Sequence, residues 1–161
     1  DLCASRGLGD VYKRQFLERL IQYLEAYYLS LEERLDYSNL EGFIFLDGKL
    51  IKWNDAKLHV LSHGLHYASS VFEGERAYGG KVFKELEHTE RLIRSANTLG
   101  FNIPYGIEEI CKIRKDVLEA NNIIDGYIRP VAWRGSEMMG ISAQENTIHF
   151  AVAAWKWPSY F

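Results

Sequence analysis

GFIFLDGKLIKW, residues 42–53, decides the fold. Two runs of aliphatic, aromatic and β-branched residues flank Asp47-Gly48, a dipeptide that reaches positive φ and closes a two-residue turn, so a β-hairpin is predicted. The construction returns in ERAYGGKVFK, residues 75–84, where Gly79-Gly80 joins two short strands and the first carries Arg76. The two hairpins are expected to share a sheet. Downstream the period changes. Leu92, Ala96 and Leu99, flanked by Arg91 and Arg94, predict a helix over 87–99 with Gly100 as its stop. Ile107, Ile110, Cys111, Val117 and Leu118 make the core stripe of a second helix over 107–121, with Glu108, Glu109, Lys112, Lys115, Asp116 and Glu119 facing outward. Residues 126–134 and 147–157, rich in β-branched and aromatic side chains, predict two more strands, and Pro130 implies an edge, a bulge or an irregular register in the first. The pattern describes an α+β domain, a mainly antiparallel sheet with two helices packed on one side.

Upstream the signal weakens. Residues 1–15 show no sustained period, and GLGDVYKRQ resembles translated sequencing-adapter read-through, so a non-native leader outside the fold is expected. Over 16–35, Phe16, Leu17, Leu20, Ile21, Leu24, Tyr27, Tyr28, Leu31 and Leu35 recur at helical spacing among charges, which predicts an amphipathic helix in an extension over 16–40. Basic residues do not dominate its polar side, so packing against protein is favoured over a membrane surface. The main domain is expected over 41–161.

The chain has 161 residues, 47% of them hydrophobic, enough for one sizeable core. Twenty-two acidic against nineteen basic residues give a formal charge of −3 without a long block of one sign, which argues against a nucleic-acid partner and favours small-molecule work. Cys3 and Cys111 have no metal-ligand spacing, so neither a zinc site nor a disulfide framework is expected, and a reducing, cytoplasmic setting is the default. No apolar run approaches the roughly 20 residues that span a bilayer.

Polar chemistry crowds into HGLHYASSVFEGERAY, residues 63–78. His63 and His66 stand at i, i+3, but no third ligand is evident and no metal is expected. Ser69 and Ser70 lack a nucleophile-elbow context, so hydrogen-bonding or capping roles are expected for them. Gly74 reads as a position of close approach or unusual dihedrals, since no phosphate-loop glycines accompany it. The arginines say more: Arg91 on a helix and Arg76 and Arg129 on strands are placed to gather guanidinium groups toward an anion, whose oxygens a planar fork binds in pairs. Composition and spacing lead to an anion-binding α+β domain and no further.

DGKLIKWNDAKLHVLSHGLHYASSVFEGERAY (47–78), HTERLIRSA (88–96), YIRPVAWRG (127–135), MMGIS (138–142) and AAWKWPSY (153–160) together resemble branched-chain amino acid aminotransferases of the fold-type IV pyridoxal-phosphate class. The motifs run in family order across 41–161. The resemblance implies the N-terminal domain of such an enzyme, transferring amino groups between leucine, isoleucine or valine and 2-oxoglutarate with pyridoxal 5'-phosphate, and working as a homo-oligomer. It implies that Arg91 binds the cofactor phosphate, with His88 shaping its helix. It further implies a substrate pocket walled by Tyr67, Phe72, Tyr127, Trp157 and Tyr160, with Gly74 leaving room, Arg76 and Arg129 beside it, and Met139 and Ile141 on a loop entering a neighbouring subunit's site. Arg129 is expected to take the distal carboxylate of 2-oxoglutarate, with Tyr67 as a hydroxyl donor. An apolar, aromatic pocket selects branched side chains by buried area, about 0.8 kcal/mol per methylene, and one methylene changes discrimination by only about 1–3 kcal/mol, so all three are expected to be accepted.

The family's catalytic lysine lies downstream of the WKWPSY segment in a second domain, together with the acid that pairs the pyridine nitrogen. Lys156, between Trp155 and Trp157, does not match it and alternation assigns it to solvent. By the resemblance the chain is a fragment with no catalytic residue of its own, inactive alone, a weak binder of the cofactor and exposing the apolar face that meets the second domain. Helix 16–35 has no family counterpart. A D-amino acid aminotransferase or an aminodeoxychorismate lyase of the same fold is the alternative enzyme, and an anion-binding or oligomerisation module without catalysis is the alternative of another class.

Overall fold

The computed structural model describes residues 15–24 and 36–157. The chain divides into two units, residues 1–37 and 38–161. In the first, residues 15–24 form helix α1, whose side chains are exposed along its whole described length. The remainder of the predicted amphipathic helix, the leader before residue 15 and Tyr160 lie outside the described residues.

The second unit is built on one antiparallel sheet. Strands β1 (Phe43–Leu46) and β2 (Lys49–Lys52) form the first hairpin, closed by Asp47 at φ 46° and Gly48 at φ 90°. Asp47 also fixes the turn to the strand beyond it: its backbone N–H donates to the Phe150 carbonyl (3.0 Å) and its carboxylate accepts from the Phe150 N–H (2.9 Å). After a 3-10 turn at Trp53–Asp55 comes the short helix α2 (His63–Tyr67), then β3 (Ser70–Phe72), β4 (Glu75–Tyr78) and β5 (Lys81–Val82), the last two joined at Gly79 and Gly80 with φ 58° and 74°. Helices α3 (Glu85–Thr98) and α4 (Ile107–Ala120) follow, then the long strands β6 (Gly126–Arg134) and β7 (Ile148–Trp155). Among the described residues the sheet order is β2-β1-β7-β6-β4-β5, with β3 also on β6, so the hairpins do share a sheet and the last two strands form its centre.

Alternation along β6 sorts its two faces. Ile128 and Ala132 are fully buried against α3 and α4, where Leu92, Ala96, Ile110, Val117, Phe150 and Val152 close a dry core. Each of the larger side chains among these, Ile, Leu, Val and Phe, contributes roughly 1.5–3 kcal/mol on leaving water. Gly100 at φ 73° ends the segment after α3 in the left-handed region, and the Glu109 carboxylate accepts the Gly106 N–H (2.8 Å) at the start of α4. The two helices pack on one side as predicted. The short α2 lies over the other face, with Gly64 against the Trp133 Cβ, an element that the polar crowding of 63–78 concealed.

Pro130 is not on an edge. β6 pairs with β7 in unbroken register from Tyr127↔Trp155 to Arg134↔Ile148, while on its other side β3 ends at Phe72↔Val131 and β4 resumes at Glu75↔Ile128. The register is the same on both sides of the gap, so β3 and β4 are one line of chain interrupted at Glu73 and Gly74. The Pro130 carbonyl accepts the Glu73 N–H (3.0 Å), and a strand residue's N–H shares the direction of its C=O. The missing donor of proline therefore faces that gap and leaves the β7 ladder intact.

Two carboxylates line the helix side of the gap. Glu75 is fully buried and pairs with the equally buried Arg114 of α4 at 2.6 Å, while Arg114 also reaches the Thr89 hydroxyl of α3. Burial pushes the Glu75 carboxyl above the usual carboxylate range, even against the Arg114 charge. The ion pair ties sheet to helices, and breaking such a pair costs far more than the pair itself contributes.

Candidate functional site

The sheet face turned away from α3 and α4 carries Phe72, Gly74, Arg76, Tyr127 and Arg129 of the predicted pocket residues. Arg76 on β4 stands opposite Tyr127 on β6, which stands opposite Trp155 on β7, a single row across three strands. The Tyr127 ring lies 5.0 Å from that of Trp155 and 5.2 Å from that of Trp157. Two residues along β6, Arg129 donates from Nη2 to the Tyr127 hydroxyl at 2.7 Å and holds its guanidinium 4.3 Å over the Phe72 ring. Gly74 explains the close packing: a methyl group there would overlap the Tyr127 hydroxyl, so the ring sits where only glycine lets it.

Charge on this face is not fully used. The Nε of Arg129 and the Nε and Nη1 of Arg76 are buried yet have no hydrogen-bond partner among the described residues. Arg76 is otherwise placed 5.4 Å from the Tyr78 ring. Buried cationic donors without acceptors are costly, and an anion with paired oxygens, such as a carboxylate, is what would satisfy them. Beside Arg129 opens an apolar hollow of about 340 Å³ lined by Ile44, Leu46, Leu58, Leu65, Val131 and Ala151. These aliphatic walls were not foreseen, because in the sequence they read as ordinary strand and loop residues.

Arg91 approaches from the other side. Its Nε and Nη2 each donate to a Glu73 oxygen at 2.6 Å, and the His88 Nδ1 lies 2.9 Å from the same carboxylate. Glu73, Glu75 and Ala77 are buried toward the helices, whereas Phe72, Gly74 and Arg76 belong to the opposite face, so Arg91 reaches the strand from the helix side, at Glu73. Arg76 and Arg129 are gathered on the Tyr127 face; Arg91 is held apart from them. Burial pushes the Glu73 carboxyl up, but its hydrogen bonds and charge contacts with Arg91 and His88 outweigh this and hold it below the usual carboxylate range. Sequence reasoning passed over Glu73, although an acid between two sheet-forming segments and an HxxR helix was a signal.

Tyr67 belongs to a second group. It stacks on His63 with centroids 4.5 Å apart, and its hydroxyl donates to the Met139 carbonyl at 3.2 Å. His63 in turn bonds Ser69 Oγ (2.6 Å) and the Gly140 carbonyl (3.0 Å), and His66 bonds the Val60 carbonyl (2.9 Å), so both histidines and Ser69 have structural partners. The loop so fastened presents Ile141, which is 87% exposed. Lys156 is exposed just past the end of β7.

The family model described as amino-transferase class IV matches residues 70–161, more than half of the chain. A probable branched-chain-amino-acid aminotransferase of Rickettsia typhi is 49% identical over 112 residues, covering 70% of this chain and 39% of the relative. The branched-chain-amino-acid aminotransferase of Pseudomonas aeruginosa is 41% identical over 130 residues, 78% of this chain and 42% of the relative. Among solved structures, the branched-chain amino acid aminotransferase of Escherichia coli superposes with a TM-score of 0.70 at 37% identity, covering 73% of this chain and 42% of that one. The branched-chain amino acid aminotransferase of Thermoproteus uzoniensis with norvaline does so with a TM-score of 0.70 at 36% identity, over 76% and 43%. A further solved branched-chain amino acid aminotransferase, with pyridoxamine 5'-phosphate, reaches a TM-score of 0.72 at 38% identity, over 76% and 42%. The chain thus spans about two fifths of the length of these relatives. No helix among the described residues is long and apolar enough to cross a membrane. With the class IV model matched over β3 to β7 and the same sheet found in these solved structures, the chain belongs to the class IV aminotransferases.

Proposed function

We propose that this chain supplies the phosphate-side and substrate-side half of a pyridoxal-phosphate transaminase, which moves the amino group of leucine, isoleucine or valine to 2-oxoglutarate. The observation that carries the reading is the pair of half-buried arginines, Arg76 and Arg129, whose buried donors have no partner among the described residues, on the face that carries Phe72 and Tyr127. Such a site offers an apolar wall for a branched side chain and a cationic handle for a carboxylate on the same face. The residues also fit the cofactor: Arg91 has a side chain 57% exposed and bonds to Glu73 through Nε and Nη2, which leaves Nη1 for a phosphate.

Each residue then has a task. Arg91 holds the phosphate. Arg129 orients the distal carboxylate of 2-oxoglutarate, with Arg76 beside it; Tyr67, at the end of α2 and bonded to the Met139 carbonyl, adds a hydroxyl. Phe72, Tyr127, Trp157 and Tyr160 exclude water from the reacting end, and Gly74 leaves the space for them. Pyridoxal phosphate, when bound, accepts the amino group and delocalises the charge that develops on the substrate's α-carbon. The lysine that moves the proton comes from the remainder of an aminotransferase-length protein, since Lys156 faces solvent. Met139 and Ile141 serve the site of a neighbouring subunit in a cytoplasmic homo-oligomer. Residues 1–15 are a non-native leader, 16–40 an extension, and 41–161 the small domain.

The test uses the aminotransferase-length protein that carries this chain. L-leucine, L-isoleucine and L-valine are expected to donate to 2-oxoglutarate, and D-alanine and aminodeoxychorismate to be poor substrates. Arg129→Leu should raise the KM for 2-oxoglutarate roughly 10- to 100-fold, the loss of a charge-assisted bond, with a smaller effect on leucine. Preference for D-alanine, or an equal loss on both substrates, overturns the reading.

A further inference from the structure

Glu73 is placed unlike Glu90, whose side chain is 46% exposed and which partners the surface Arg94. Its side chain is 6% exposed and its backbone N–H is fixed to the Pro130 carbonyl, while the Arg91 side chain that it grips is 57% exposed. The carboxylate is therefore the rigid member of the pair and the arginine the mobile one. Both Glu73 oxygens are engaged, Oε1 by Arg91 Nε and Oε2 by Arg91 Nη2 and His88 Nδ1, so neither is turned outward. The Nη2 of Arg91 also lies 3.0 Å from His88 Nδ1. The fork thus uses one edge of the guanidinium and leaves Nη1, with its two hydrogens, clear of the carboxylate.

A tie between α3 and the sheet does not need this pair. Leu92 and Ala96 bury α3 against the core, and the fully buried Glu75–Arg114 bridge with Thr89 already joins β4, α3 and α4. A pair of two flexible surface chains would contribute little in any case. What Glu73 does achieve is to remove rotamer freedom from an exposed arginine before any ligand arrives, and a group ordered in advance loses less on binding.

The geometry points to Glu73 as a positioning residue that holds the Arg91 guanidinium with its free Nη1 end presented to the phosphate of the cofactor. This rests on the reading of Arg91 as the phosphate-binding arginine. Glu73 acts on affinity for the phosphorylated ligand and touches neither substrate nor cofactor.

The test compares pyridoxal 5'-phosphate with pyridoxal, which lacks the phosphate. The apo form of the aminotransferase-length protein is titrated with each by absorbance, for the unaltered protein, Arg91→Lys, Glu73→Gln and the double variant. Glu73→Gln and Arg91→Lys should each weaken pyridoxal phosphate on the order of tenfold to a hundredfold, the loss expected from one hydrogen bond to a charged group. Pyridoxal should be unchanged by either, and the double variant no weaker than Arg91→Lys alone. If Glu73→Gln leaves pyridoxal phosphate untouched, weakens both ligands alike, or adds its full effect to Arg91→Lys, Glu73 has no positioning role. If Arg91→Lys itself has no effect on pyridoxal phosphate, the reading of Arg91 falls and the role of Glu73 with it. Should Glu73→Gln fail to fold, Glu73→Asp, which keeps the charge and shortens the reach, is read by the same outcomes.

Discussion

Replacing Gly74 by alanine tests whether the binding face is packed as tightly as the structure indicates. The added methyl would coincide with the Tyr127 hydroxyl and crowd the ring carbon that bears it, so the tyrosine must move. It has little room, because Trp155 and Trp157 flank its ring at 5.0 and 5.2 Å. Movement breaks the 2.7 Å bond from Arg129, a hydrogen bond to a charged group worth about 1.5–3 kcal/mol. Overpacking of the rings costs about 1–3 kcal/mol more. The two terms share one displacement, so the expected loss is about 2–4 kcal/mol, not their sum. Urea denaturation followed by the fluorescence of the adjoining tryptophans measures it. The decisive comparison is with Tyr127→Phe, which removes the oxygen that the methyl would meet: in that background Gly74→Ala should cost at least about 1 kcal/mol less, a coupling expected of touching residues. A loss that is the same in both backgrounds, within about 0.5 kcal/mol, would show that the methyl meets something other than the Tyr127 hydroxyl.

Arg114→Met leaves the buried Glu75 carboxylate without its partner and should lower unfolding free energy by about 3–5 kcal/mol, most of it regained on adding Glu75→Gln; denaturation midpoints of the single and double variants check this. Acid stability follows from Glu73 and Glu75 with opposite signs. The folded-state pKa of Glu73 is depressed, so its contribution is present above the unfolded carboxylate value of about 4.3 and is lost as pH falls through the depressed value. That of Glu75 is raised, so its contribution is full below the unfolded value and is lost as pH rises through the raised one. Glu73→Gln should therefore flatten the acid limb of a stability-against-pH curve, and an unaltered acid limb would contradict the assigned ion pair.

Local signals carried most of the fold. Asp47-Gly48 and Gly79-Gly80 fix turns by their own dihedral freedom, and the stripes of α3 and α4 follow from helical period, so these elements were readable without tertiary knowledge. Pro130 misled because its restriction is one-sided: a missing N–H forbids one ladder, and which one depends on the neighbours. The buried charges were hidden for a related reason. Acids and arginines are usually solvated; besides Glu73, Arg114, four residues from both Ile110 and Leu118 on the core stripe of α4, gave a sequence sign that a buried partner was required. The grouping of Tyr67 with Met139 joins residues 72 apart, beyond the reach of any local pattern. Arg76, Arg129, Tyr127 and Trp157 stand on one face and Arg91 does not join them, while the aliphatic hollow beside Arg129 is made by strands whose register no sequence pattern revealed.

The order of strands in the sheet has a consequence for biosynthesis. The hairpin β1–β2 leaves the ribosome early, but its inner neighbour is β7, and Phe45 must wait for Val152, more than a hundred residues later. The segments β3 and β4 wait likewise for β6. Sheet closure is thus the last event of translation for this region, and until then unpaired strand margins stand open to other nascent chains. Distant pairing of this kind folds slowly, which makes the interval before β7 emerges the period in which a chaperone has most to shield.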